Sequence, residues 1–209
     1  MSKIEIDWDE VNEISRHRHP MKLSEFLKQL PHILWNAVNS DNNYTFVHYA
    51  SRSGNDDALI MILTSQVNVI LCNGGPTPLQ VASLNCNNRA IEILCTFDTS
   101  LISKCADRGR NWDKLPIEWA VNCSGINKSE SIYTLIANGA RLKDVRQQNE
   151  VTQEMRDFEA GVLSCRETVI ILLGLKKKRV ILHELDRFLI RQELAVAIWT
   201  TRREQEWQK

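Results

Sequence analysis

Gly75-Pro76-Thr77-Pro78-Leu79-Gln80-Val81-Ala82, with Asn88-Arg89-Ala90-Ile91-Glu92-Ile93-Leu94-Cys95 behind it, decides how this chain is read. Thr followed by Pro opens a helix, because the Thr hydroxyl caps free amides and Pro suits the first helical position. Gln80 stands three residues after Thr77, the spacing of a capping box. The second run places Ala90, Ile91, Ile93 and Leu94 around Glu92. A two-helix unit of this size cannot bury its apolar face alone, so it needs copies of itself to stack upon.

Two looser copies flank it. Thr45-Phe46-Val47-His48-Tyr49-Ala50 begins 32 residues before Thr77, and Asp57 to Leu63 supplies its second helix. Leu115-Pro116-Ile117-Glu118-Trp119-Ala120 places its Pro 38 residues after Pro78, and Ser131 to Ile136 follows, ending in Asn138-Gly139-Ala140. Gly139 suits the left-handed residue that closes a helix. Phe46 replaces Pro in the first copy, and Leu115 replaces the capping Thr in the third. Extra residues near Asp98 to Lys104 and Cys123 to Asn127 are expected in loops.

The pattern of a turn, Thr-Pro-Leu-x-x-Ala, a second helix and a Gly-Ala exit resembles the ankyrin repeat. The resemblance covers about residues 40 to 145 and implies an all-α solenoid of three degenerate repeats. It also implies that the turns project as fingers and line a concave groove with the ends of the first helices. Carried onto this chain, the finger residues are Asp41, Asn42 and Tyr44, then Asn73, Gly74 and Pro76, then Asn111, Trp112 and Lys114. The helix-end residues are Arg52 and Ser53, Leu84 and Asn85, and Asn122 and Cys123. His48 takes the family's structural His position, supporting neighbouring turns. Aromatic residues dominate binding hot spots, so Tyr44 and Trp112 would serve as anchors. For Trp112 the opposite reading, folded back on its own loop, stays open. Trp119, beside Ala120 in a helix, reads as core.

Around the repeats the expected plan has a polar segment at 1–22, capping helices at 23–39 and a helical extension at 146–209. Leu23, Phe26, Leu27 and Leu30 follow helical spacing, and Pro31 ends that helix. Such a terminal unit should cover the open end of the stack. Val151, Met155, Phe158, Val162, Cys165, Val169 and Leu172 mark one face of a long helix. Leu182, Leu185, Leu189, Val196 and Trp199 mark another, with Phe188 beside them. Joined by a short turn, the two predict a hairpin that packs on the last repeat or pairs two chains. Lys176-Lys177-Lys178-Arg179 complements a helix C-terminus. Import and anionic-lipid readings of that run remain open.

Charge and chemistry narrow the function. With 26 basic and 26 acidic residues the chain lacks the basic surface that nucleic acid requires. The start has no signal-peptide core, and Val169 to Leu175 is far short of a bilayer span. The expectation is a cytoplasmic protein, with nuclear entry or host-cell delivery open. Six Cys, at 72, 86, 95, 105, 123 and 165, show neither C-x-x-C spacing nor a following His pattern. Reduced thiols without a metal are therefore expected. His17 and His19, in Arg16 to Pro20, lack further ligands. No phosphate loop or nucleophile elbow is present. The reading is a non-enzymatic protein-binding module, adaptor, scaffold or effector, without cofactor, existing as a monomer or a dimer through its last helices. The alternative is an enzyme whose site lies between the repeats and the C-terminal helices.

Overall fold

The computed structural model describes residues 5–16, 21–65, 75–105 and 113–172, with side chains up to residue 165. Among them all regular structure is helical. Helix α1 (Trp8–Ser15) and α2 (Leu23–Gln29) come first, followed by a short 3-10 turn at His32–Asn36. Three helix pairs follow: α3 (Phe46–Ser53) with α4 (Asp56–Thr64), α5 (Pro78–Leu84) with α6 (Asn88–Phe97), and α7 (Pro116–Val121) with α8 (Lys128–Ala137). Helix α9 (Gln153–Leu172) closes the described chain.

The contacts form two rows. In the first, α1 touches α3, α3 touches α5, and α5 touches α7; in the second, α2 touches α4, α4 touches α6, and α6 touches α8. Helix α9 lies against α8. The core runs between the rows. Phe46, Val47, Leu79, Ala82, Ile117 and Ala120 enter it from one side, and Leu59, Ile62, Ile91, Leu94, Ile132 and Leu135 from the other.

Thr45, Thr77 and Leu115 stand at the N-caps of α3, α5 and α7. Each helix also carries, at its third position, a buried polar side chain with two tasks: His48, Gln80 and Glu118. His48 Nδ1 accepts the Thr45 amide at 3.0 Å, and Nε2 lies 2.8 Å from the Pro76 carbonyl. An accepting Nδ1 leaves the proton on Nε2, which then donates to Pro76. Gln80 Oε1 accepts the Thr77 amide at 2.5 Å, and its Nε2 donates to the Lys114 carbonyl at 2.5 Å. Glu118 Oε2 accepts the Leu115 amide at 2.8 Å, and Oε1 accepts the Arg146 amide at 3.1 Å. One atom of each side chain caps its own helix and another holds backbone further along the chain. For His48 and Gln80 that backbone immediately precedes the next first-row helix. Leu115 has no side-chain acceptor, so Glu118 does more of the capping in the third pair.

The turns inside the first two pairs repeat as well. Gly54 and Cys86 adopt positive φ, and Asn55 and Asn87 then cap α4 and α6. Asn87 Nδ2 also donates to the Ser51 carbonyl at 3.0 Å, joining the first pair to the second.

Two expectations change. Trp8 to Arg16 lies in the segment expected to be polar, yet Trp8–Ser15 is a helix capped by Asp7, whose Oδ1 accepts the Asp9 and Glu10 amides at 3.0 and 3.1 Å. Val11 and Ile14 are buried, and Trp8 lies 5.1 Å from Phe46 and 5.8 Å from Tyr49, ring centre to ring centre. The terminal pair is therefore α1 with α2, while the stretch after Pro31 makes only the 3-10 turn. Trp119 is half-buried rather than core. Of the face expected there, Met155 and Val162 are buried and Phe158 lies 4.5 Å from Tyr133, Cys165 is half-buried, Val151 is buried just ahead of the helix, and the side chains of Val169 and Leu172 lie outside the described residues. Glu159 fixes this helix by accepting from Arg141 Nε and the Leu142 amide, each at 3.0 Å. The expected helix from Ile181 onward and the basic run at 176–179 lie outside the described residues, as do His17 and His19.

Two measurements test the buried polar positions. Glu118→Ala strips acceptors from the Leu115 and Arg146 amides, at about 1–3 kcal/mol, with a fall in Tm of roughly 5 °C and a smaller fall for Glu118→Gln. Burial pushes the His48 imidazole down to about 4, against the hydrogen bond to Pro76. The unfolded chain therefore takes up this proton first as pH falls. The His48 contribution is complete above pH 6.5 and is lost as pH falls to 4, about 3 kcal/mol in all. Denaturant titrations at pH 7 and pH 4 should show His48→Gln losing less stability than the wild type over that interval.

Candidate functional site

The first turn is built around one hydroxyl. Asn39 Nδ2 and Asn42 Nδ2 donate to the Tyr49 hydroxyl oxygen at 2.9 and 3.1 Å. Asn39 Oδ1 accepts the Asp41 amide at 2.9 Å, and Asn42 Oδ1 accepts the Tyr44 amide at 2.8 Å. The Asn39 amide donates to the Tyr44 carbonyl at 2.8 Å, and Asn43 takes the positive φ that Asn tolerates. Asp41 and Asn42 are left exposed at the tip. Tyr44 is half-buried, stacked on His48 at 5.1 Å and edge-on to Tyr49 at 5.6 Å, and its burial pushes the hydroxyl pKa up.

The helix ends form the other half of the candidate surface. Leu84 and Asn85 at the end of α5, and Asn122 at the end of α7, are exposed. Asn85 and Asn122 each turn back to a carbonyl four residues earlier, Val81 at 2.7 Å and Glu118 at 2.6 Å. Arg52 at the end of α3 is half-exposed and donates to Asn12 Oδ1 at 3.3 Å, so α1 takes part in this edge. Lys114 is half-exposed, and its carbonyl is the one held by Gln80.

Pro76 is different. It is buried, and its carbonyl serves His48. A residue packed between turns cannot meet a partner, so Pro76 contributes structure rather than contact. Gly75 beside it is buried too: a Cβ there would sit 3.1 Å from Asn43 Cβ and 3.3 Å from the Asn42 carbonyl. Asn73, Gly74, Asn111 and Trp112 lie outside the described residues.

Cys86 and Cys123, also at the ends of α5 and α7, form a disulfide. The expectation of reduced thiols is corrected at this pair. Their separation of 37 residues carries no signal by itself; the stacking of α5 on α7 brings the two ends together. Gly125 lies against the bridge, where a Cβ would meet Cys86 Sγ at 3.1 Å and Cys123 Sγ at 3.2 Å.

On the second row the structure holds a feature that the sequence reading missed. A groove of about 960 Å³ is lined by side chains of α4, α6, α8 and α9 together with the loop before α8. Ile60, Phe97 and Ile126, three of the large exposed apolar side chains, lie along it, with Ile93, Tyr133 and Phe158. Burial and a hydrogen bond with Glu154 push the Tyr133 hydroxyl pKa up. The signal was the unbroken run Leu59-Ile60-Met61-Ile62-Leu63, more apolar surface than one packed helix face absorbs.

Among the described residues, no helix is long and apolar enough to cross a membrane, and no three His, Cys, Asp or Glu side chains converge as metal ligands. The class the fold defines is an all-helical chain of successive, mutually packed helix pairs. No protein-family model matches the chain, and no curated protein matches it.

The disulfide closes a long loop, so Cys86→Ser with Cys123→Ser should cost about 4 kcal/mol by loop entropy. Thermal unfolding with and without reductant checks it: reductant should lower the wild-type Tm and leave the double variant unmoved.

Proposed function

We propose that this chain is an ankyrin-type solenoid whose work is to hold a partner protein. The observation that carries the reading is the recurrence of one joint: His48 and Gln80, at the same place in successive first-row helices, each hold the backbone just before the next such helix. That recurrence supports a repeated unit over an unrelated bundle with chance caps. A repeated unit sets similar turns and helix ends side by side, and this gives a row of recognition positions.

The contact surface in this reading is the edge formed by Asp41, Asn42, Tyr44, Arg52, Leu84, Asn85, Lys114 and Asn122. Its chemistry is a mixture of amides, one carboxylate, two cations, a tyrosine and a leucine. That suits a peptide or protein surface offering hydrogen-bonding groups around a few apolar side chains. The mechanism is burial of these side chains against the partner. No bond is made or broken. The ligand in this reading is a protein.

The test uses exposed positions whose change spares the fold. Asp41→Arg with Leu84→Glu should weaken capture of a partner from native-cell extract at least tenfold, about 1.4 kcal/mol, with Tm within roughly 2 °C of wild type. Ile126→Glu, on the other row, should capture as the wild type does. Equal capture by all three proteins, or loss by Ile126→Glu alone, would sink the assignment of the first-row edge.

A further inference from the structure

The second row carries a face that the first-row reading does not use. Its groove, about 960 Å³, has a floor with helical periodicity. Helix α6 lines it with Ile93, Thr96 and Phe97, and α8 with Glu130, Tyr133, Thr134 and Ala137. These fall at i, i+3 and i+4 on α6 and extend to i+7 on α8, the stripe by which one helix packs on another. Ile60 of α4 and Phe158 of α9 stand at the two sides, with Phe158 against Tyr133. The side chains between them at Thr96, Thr134 and Ala137 are small, which makes the floor a trough. Phe97 is 48% and Ile126, in the loop before α8, 101% exposed, so large apolar groups face outward around it. Contiguous apolar surface of this kind marks an interaction site.

The rim is acidic. Glu92, Glu130 and Glu154 line the groove against one cation, Arg89. Arg89 is already committed, at 2.9 Å from Glu92 and 3.8 Å from Asp56. Glu130 and Glu154 form no ion pair among the described residues. They also gather at one end of the trough: Glu130 is one turn before Tyr133 on α8, and the Tyr133 hydroxyl hydrogen-bonds with Glu154.

We propose that this groove receives an amphipathic helix of a second protein, about three turns long, which seats apolar side chains in the trough and sets Lys or Arg against Glu130 and Glu154. The length follows from the floor, since α6 and α8 are ten residues each, about 15 Å. Apolar anchors three and four residues apart are the means by which a helix occupies such a groove. Charge selects among helices. An acidic one meets like charge, which costs binding energy, and a second copy of this face sets glutamate against glutamate. A basic helix neutralises the two carboxylates that the fold leaves without a cation. This partner is additional to the ligand of the first-row edge, and either assignment can fail without the other.

Fluorescence anisotropy with the full-length chain tests the proposal. The probe is a fluorescein-labelled peptide of Leu and Lys at helical spacing, about 16 residues long so that it holds a helix. Its counterpart carries Glu in place of every Lys. At low salt, where surface charge is least screened, the Leu–Lys peptide should bind in the micromolar range and the Leu–Glu peptide about tenfold more weakly. Phe97→Ser with Ile126→Ser should weaken the Leu–Lys peptide about tenfold, and Ile126→Ser alone by a smaller factor. Leu84→Ser, on the first row, should leave it unchanged. Glu130→Lys with Glu154→Lys, both at exposed positions, should invert the preference between the two peptides. Absence of Leu–Lys binding to the wild type overturns the proposal, because the groove is then covered or closed. Binding that Ile126→Ser leaves untouched overturns it as well, by moving the site elsewhere. Equal binding of both peptides, or a preference that the double lysine variant does not invert, reduces the groove to a sticky surface and has the same force. Self-association in sedimentation that Ile126→Ser abolishes gives the groove to a second copy and also overturns it.

Discussion

Three buried polar side chains hold the architecture in register. His48, Gln80 and Glu118 are shut away from water, where an unpaired polar group costs far more than a made hydrogen bond returns. Each is satisfied only if its own helix starts where it does and the following backbone arrives at a fixed distance. Apolar packing between the rows supplies most of the driving force, but leucine and isoleucine contacts tolerate sliding. The two-ended hydrogen bonds do not. Helix start and layer spacing are thereby set by the same atoms.

This joint also explains how the candidate recognition edge is positioned. The turn before α3 is tied to Tyr49, while the backbone before α5 and α7 is held by the preceding helix. Pro76 and Gly75 give up exposure so that this can happen. The side chains left outward, such as Asp41, Leu84 and Asn122, ride on backbone whose hydrogen bonds are already spent. The disulfide between Cys86 and Cys123 adds a covalent tie at the same helix ends.

Much of this was legible in the residues. The Thr-Pro signal and its echoes placed the starts of α3, α5 and α7, because capping is local chemistry that needs only a few neighbouring residues. Helical spacing placed α2 and the buried Met155 and Val162 of α9 for the same reason. What stayed hidden depended on contacts distant in sequence. Helix α1 is short and mostly polar, and only the buried aromatic surface of Phe46 and Tyr49 gives Trp8 and Val11 something to pack on. The disulfide joins residues whose spacing is meaningless until two helices stack. The second-row groove is a property of four elements at once. Of the residues expected at a contact surface, Asp41, Asn42, Leu84, Asn85 and Asn122 are exposed, whereas Pro76 is buried.

The last of the three joints has reversed polarity. His48 and Gln80 each offer an N–H to a carbonyl, but Glu118 offers a carboxylate oxygen to the amide of Arg146, and Arg146 Nε lies 3.6 Å from the same oxygen. A fourth unit presenting a carbonyl there would face an oxygen with no hydrogen to share. The choice of glutamate thus fits an amide and a guanidinium where its two counterparts fit a carbonyl, and past that joint the chain runs through two 3-10 turns into α9.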